Sequence, residues 1–160
     1  MCLLTDTTKM KVATRDIKCY KVFQTFSSLT DSERATAIHK NGRGAFVPDT
    51  LVSPYQFTKY EIGKEYIEPG FSNYYQNMGY DDFIIGENAI HTFRNKKEAK
   101  KCAAFLRNCD IFAGGIIIVE CVIPKGAIYA LGKTGRYVEN DNSYASNRLI
   151  LKAIVPKEKK

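Results

Sequence analysis

Apolar positions follow two different rhythms along this chain. From Ile17 to Phe26 the residues are largely β-branched or aromatic, with Ile17, Tyr20, Val22, Phe23, Thr25 and Phe26. Such side chains suit a pleated surface and predict a strand. Between Lys96 and Arg107 the rhythm changes: Ala99, Cys102, Ala103 and Leu106 recur at i, i+3, i+4 and i+7. That spacing lines up one face of a helix. Asn95 stands where an N-cap is needed and Glu98 where an acid favours the first turn, while Lys96, Lys97, Lys100 and Lys101 fall off the apolar stripe. Ile116–Ile123 is apolar on both faces, as in a strand central to its sheet. Arg148–Val155 is the last expected strand and Pro156 ends it.

The intervening stretches give weaker patterns. Phe57–Ile62 and Glu65–Glu68 flank Gly63-Lys64 as two short strands. Phe83–Ile85, Ala89–Phe93 and Ala127–Leu131 also read as strands. Thr30 and Glu33 form a capping-box pattern that opens a short helix through Ala35, Ala37 and Ile38. Residues 40–55, 71–82 and 132–146 are rich in Gly, Asn, Asp, Ser and Pro and read as loops. Hairpin connections outnumber βαβ units. The expected fold is therefore α+β: one compact domain over 1–160, with a largely antiparallel, split sheet, one main helix and one short helix. Residues 1–15 read as an N-terminal arm and 157–160 as a basic tail.

Composition narrows the class. The chain has 160 residues, 44% hydrophobic and 26% charged, enough for one core without disulfide or metal support. No apolar run approaches the ~20 residues of a membrane span, and Met1–Asp6 is too short and too acidic for a secretion signal. A cytoplasmic protein without a membrane partner is expected. The five cysteines include no CxxC pair, so no metal site is expected; Cys19, Cys102 and Cys121 read as core residues. The net charge of +7 favours an anionic partner: a nucleotide-type small molecule, a host protein surface or nucleic acid. A homo-oligomer stays open.

Candidate chemistry is sparse. Cys2 lacks a second catalytic signal. Of the two histidines, His39 ends the short helix and His91 shares a strand face with Phe93, toward solvent or a cleft. Gly42-Arg43-Gly44 brings backbone amides and a guanidinium together as a phosphate-binding turn would. Six of the ten tyrosines lie between Tyr55 and Tyr80. Their flat faces and polar tips suit base stacking, a protein interface or a loop-covered core equally.

Several segments together resemble the ADP-ribosyltransferase type of split β-sheet domain. They are the strand Lys18-Cys19-Tyr20-Lys21-Val22-Phe23, the elements Gly63-Lys64-Glu65-Tyr66 and Gly70-Phe71-Ser72-Asn73, the helix with Glu98-Ala99, the turn Pro124-Lys125-Gly126-Ala127, and Tyr144–Leu151. The resemblance runs from Ile17 to Ile154. It implies a nucleotide site and, for an active enzyme, NAD as cofactor with Tyr20 and a displaced acid, Glu139, as catalytic residues. Where that family carries its final-strand glutamate, this chain has Asn147, and an amide cannot stabilise an oxocarbenium-like charge.

The expected function is accordingly a non-enzymatic binding protein for a nucleotide or similar phosphorylated molecule, needing no cofactor of its own. The expected ligand contacts are Arg43, Tyr74, His91, Arg94, Tyr144, Asn147 and Arg148, arginines on phosphate and tyrosines on the base. A compact basic chain without a catalytic signature also resembles small proteins of phages and mobile elements that sequester nucleotide signals of host defence. An ADP-ribosyltransferase acting from NAD and a protein- or nucleic-acid-interaction module are the alternatives.

Overall fold

A computed structural model describes residues 3–5, 10–25, 51–52, 59–69, 71, 76–77, 83–85, 89–108, 115–134 and 141–156. The expected short helix after Thr30 lies outside them. The strands are β1 Leu3–Thr5, β2 Lys11–Val12, β3 Ile17–Thr25, β4 Leu51–Val52, β5 Lys59–Tyr60, β6 Glu65–Ile67, β7 Gln76–Asn77, β8 Phe83–Ile85, β9 Ile90–Phe93, β10 Gly115–Ile123, β11 Ile128–Gly132, β12 Ser143–Ser146 and β13 Arg148–Ile154; the helix α1 spans Lys96–Arg107. The fold is α+β, with every described strand pair antiparallel.

The spine is the pair β3–β10, in register from Ile17 opposite Ile123 to Thr25 opposite Gly115. Around it the main sheet runs β2-β11-β12-β9-β3-β10-β13-β6. The other edge of β3 is shared. It meets β9 at Tyr20–Phe93 and β4 at Gln24–Val52 and Thr25–Leu51, so the sheet forks there.

The closure of the sheet turns on one residue. Only Asn147 separates β12 from β13, yet β9, β3 and β10 stand between those strands in the sheet. The sheet must therefore curl until β12 and β13 lie end to end. Asn147 secures the bend: its Oδ1 accepts from Ile128 N at 2.8 Å, its N–H donates to Ile128 O at 3.0 Å, and its carbonyl accepts from Glu68 N at 2.8 Å.

The curl gives the sheet two differently packed faces. The inner one holds Cys19, Phe23, Val119, Cys121, Leu149 and Leu151, all 0% exposed, with the Tyr60 ring tilted against those of Phe23 and Tyr66. The outer one carries Val22, Phe93, Ile116 and Ile118 against Ala99, Ala103 and Leu106 of α1. The helix starts as its sequence requires, with Glu98 N donating to Asn95 Oδ1 at 3.0 Å. A smaller sheet, β1-β8-β7, brings Leu3 onto Ala89, Ala130 and Ala145; small residues there let the two layers approach. Among the described residues no helix is long and apolar enough to cross a membrane.

Some expectations need correction. Ser143–Ser146, read as the end of a polar loop, is buried strand β12. Its hydroxyls are satisfied internally: Thr134 Oγ1 donates to Ser143 Oγ at 2.7 Å and Ser146 Oγ donates to Arg148 O at 3.0 Å. Residues 1–15 are more than an arm, because β1 and β2 pair within the sheets. The strand expected over Phe57–Ile62 is confined, within the described residues, to Lys59–Tyr60, and Ile62 enters the Gly63 turn. There Gly63 adopts φ 86°, open to glycine at no steric cost.

Candidate binding cleft

At the start of β3 the chain turns through Thr14-Arg15-Asp16 before entering the spine. Asp16 Oδ1 accepts from Lys125 N at 2.9 Å, which ties this turn to the one between β10 and β11. A cleft of about 600 Å³ opens here, lined by Thr14–Lys18 together with Tyr129 and Tyr144. That is within the range of about 300–1,000 Å³ typical of small-molecule sites.

The two tyrosines come from neighbouring strands. Leu131 of β11 lies opposite Tyr144 of β12, and alternation puts Tyr129 on the same side. Their rings meet edge to face, with centroids 5.8 Å apart and planes at 77°, a favourable aromatic geometry. Burial pushes the Tyr144 phenol above its ordinary pKa, and the neighbouring Arg94 guanidinium partly offsets this. The Arg94 backbone is itself fixed, its N–H donating to Asn142 O at 2.8 Å. Asn142 Oδ1 accepts from Thr134 N at 2.8 Å and from Ser143 Oγ at 2.9 Å, so one buried polar network sets the hairpin end and the root of Arg94.

Arg15, Lys18 and nearby Arg94 make the cleft cationic. Lys18 also pairs with Glu120 at 3.5 Å, both side chains being substantially exposed. Such a pair is worth little and leaves the lysine available to an incoming anion. The cleft can therefore offer an aromatic edge-and-face surface beside several cationic donors.

The expected contacts separate in space. Arg94 and Tyr144 come together here. Tyr20 packs instead on the cluster beneath α1, and His91 is 5% exposed, its carbonyl accepting from Lys21 Nζ at 2.8 Å. Asn147 commits its side-chain oxygen to the strand bend. Arg148 commits its guanidinium to Glu65, with Nε donating to Oε1 at 2.7 Å and Nη2 on the same oxygen. Arg43, Tyr74 and Glu139 lie outside the described residues. Arg15, Lys18 and Tyr129 were not anticipated. Arg15 falls in the expected N-terminal arm, and Lys18 and Tyr129 fall in expected strands, where residue type alone does not mark a ligand contact.

A second polar feature lies inside. Lys21 is 6% exposed, and among the described residues no carboxylate pairs with it. Its ammonium sits 5.7 Å from the Phe23 ring centroid and 5.8 Å from that of Tyr60. Burial pushes its pKa down to about 8. Burial raises the surrounding thiols, Cys19 to about 12 and Cys102 to about 11, with Cys121 also raised. These thiols stay protonated and act as core residues. Among the described residues no group of three or more His, Cys, Asp and Glu is placed to hold a metal ion.

Comparison with protein-family models, with curated proteins and with solved structures finds no match to this chain.

Proposed function

We propose that this protein binds a nucleotide or similar phosphorylated small molecule, without transforming it, in the cleft between Thr14–Lys18 and the Tyr129–Tyr144 pair. The observation that carries the reading is the pairing of an ordered aromatic edge with Arg15, Lys18 and Arg94 around one cleft of nucleotide size. Tyrosine rings bind a base by its π-face and the cations bind phosphate, which is the division of labour such ligands require. The cleft's described carboxylate, Asp16, is engaged by Lys125 N–H. That supports a holding role for Asp16 over acid–base work.

Isothermal titration with a panel of mono-, di- and cyclic nucleotides, with ribose phosphate as the base-free control, tests this. Binding that needs both base and phosphate, and that falls in Tyr129→Ala and Arg15→Glu, is the expected result. Absence of binding across the panel refutes the reading. Loss of NAD on incubation with the protein would replace it by the transferase reading.

A further inference from the structure

On the opposite side of the sheet from the inner core, a groove of about 530 Å³ runs between α1 and the ends of β10 and β13. Ile116, Ile118, Ile154 and Val155 are among its apolar lining, and Lys100 and Arg107 contribute the charge. Among the described lining residues there are two cations and no carboxylate.

The groove exists because β10 outruns β13. The last described pairing places Ile154 opposite Val119, and Val155 N donates to Ile118 O at 2.8 Å. β13 ends at Ile154, and beyond Val155 no described residue continues the ladder along β10. One further step along β10, Ile116 O accepts instead from Arg107 Nη2 at 3.1 Å. This bond fixes the guanidinium at the head of the groove, and among the described residues none takes its other N–H donors. The immobilised fork has already lost much of the freedom that binding a carboxylate would otherwise remove. Ile154, 40% exposed, projects apolar surface at the opposite end.

We propose that this groove is a docking site for an acidic peptide segment of a partner protein, one that inserts a branched apolar side chain between Ile116, Ile118 and Ile154 and sets carboxylates on Lys100 and Arg107. Charge selects the occupant. The chain's own continuation, Lys157-Glu158-Lys159-Lys160, carries excess positive charge, which does not complement a groove lined by cations. The apolar floor suits an inserted aliphatic side chain better than a phosphodiester backbone, and its recess suits one better than a flat bilayer. This proposal uses a different surface from the nucleotide cleft and stands or falls separately from it.

The test uses the full chain and a fluorescein-labelled Asp-Glu-Ile-Glu-Leu-Asp-Glu peptide. Two controls replace its acids by lysine or its Ile and Leu by serine. Fluorescence anisotropy should report binding of the first peptide only, weakening several-fold between about 50 and about 500 mM NaCl as the charges are screened. Lys100→Glu and Ile154→Asp, at partly or well exposed positions, should each weaken it by about fivefold or more while leaving the melting curve in place. Tyr129→Ala should leave it unchanged. Amide shifts on adding peptide should centre on Ile116, Ile118 and Val155. Equal binding of the lysine peptide overturns the proposal, as do shifts confined to the Tyr129–Tyr144 cleft, binding to phosphatidylserine vesicles in place of peptide, or no binding at about 1 mM peptide.

Discussion

Replacing Lys21 by methionine keeps the chain length and removes the charge, so Lys21→Met isolates what burying this ammonium costs. In the folded protein the amine has a pKa of about 8, against an ordinary 10.5, mainly because burial strips its water. Below about pH 8 both folded and unfolded chains hold the proton, and the whole cost of burying the charge is present. Between about pH 8 and 10.5 the folded chain has released the proton while the unfolded chain still binds it, so stability rises with pH. The shift corresponds to on the order of 3 kcal/mol. Cys19, Cys102, Cys121 and Tyr60 act in the opposite sense: burial raises them, the unfolded chain ionises first, and stability falls above about pH 9. These contributions largely cancel in the difference between wild type and Lys21→Met. Urea unfolding under reducing conditions measures that difference. Wild type should gain on the variant by about 1 kcal/mol from pH 7 to pH 9, and by about 2 kcal/mol or more by pH 10. A difference that stays constant with pH, or that moves against the wild type, refutes the assignment of Lys21 as a buried charge with no carboxylate partner among the described residues.

Other outcomes follow from the same geometry. Leu106→Ala, which opens a void between α1 and the outer sheet face, should cost about 2–5 kcal/mol in chemical denaturation. Asn147→Ala removes the acceptor for Ile128 N–H at the strand bend and should cost about 1–3 kcal/mol, with Asn147→Asp recovering part of it. In calorimetry, Arg148→Ala should leave nucleotide affinity within about twofold, because Glu65 already engages that guanidinium, whereas Arg15→Ala should lower it by about tenfold.

Local chemistry made much of this fold legible in one dimension. Helix α1 was readable from end to end, because its cap, its acid at the first turn and its 3.6-residue stripe all concern neighbours within a few residues. The spine strands β3 and β10 were readable because they are long and apolar. Strand β12 was missed because its serines satisfy their hydroxyls through Thr134 and Arg148, and no composition rule anticipates that partnering. Among the expected ligand contacts, arginine and asparagine were chosen for their donors and acceptors. Whether those groups remain available depends on who stands beside them: Glu65 claims Arg148 and Ile128 claims the side chain of Asn147.

The sequence by itself determined the α+β class, the antiparallel bias, the main helix and the basic character of the surface, since each follows from residue type and short-range periodicity. Only the tertiary structure decided that Thr14–Lys18 faces Tyr129 and Tyr144, that Lys21 lies inside among thiols and rings, and that β10 outruns β13 to leave a groove under α1. The first of these depends on the curl of the sheet about Asn147. That curl places residues far apart along the chain side by side, and no local pattern encodes which of them will meet.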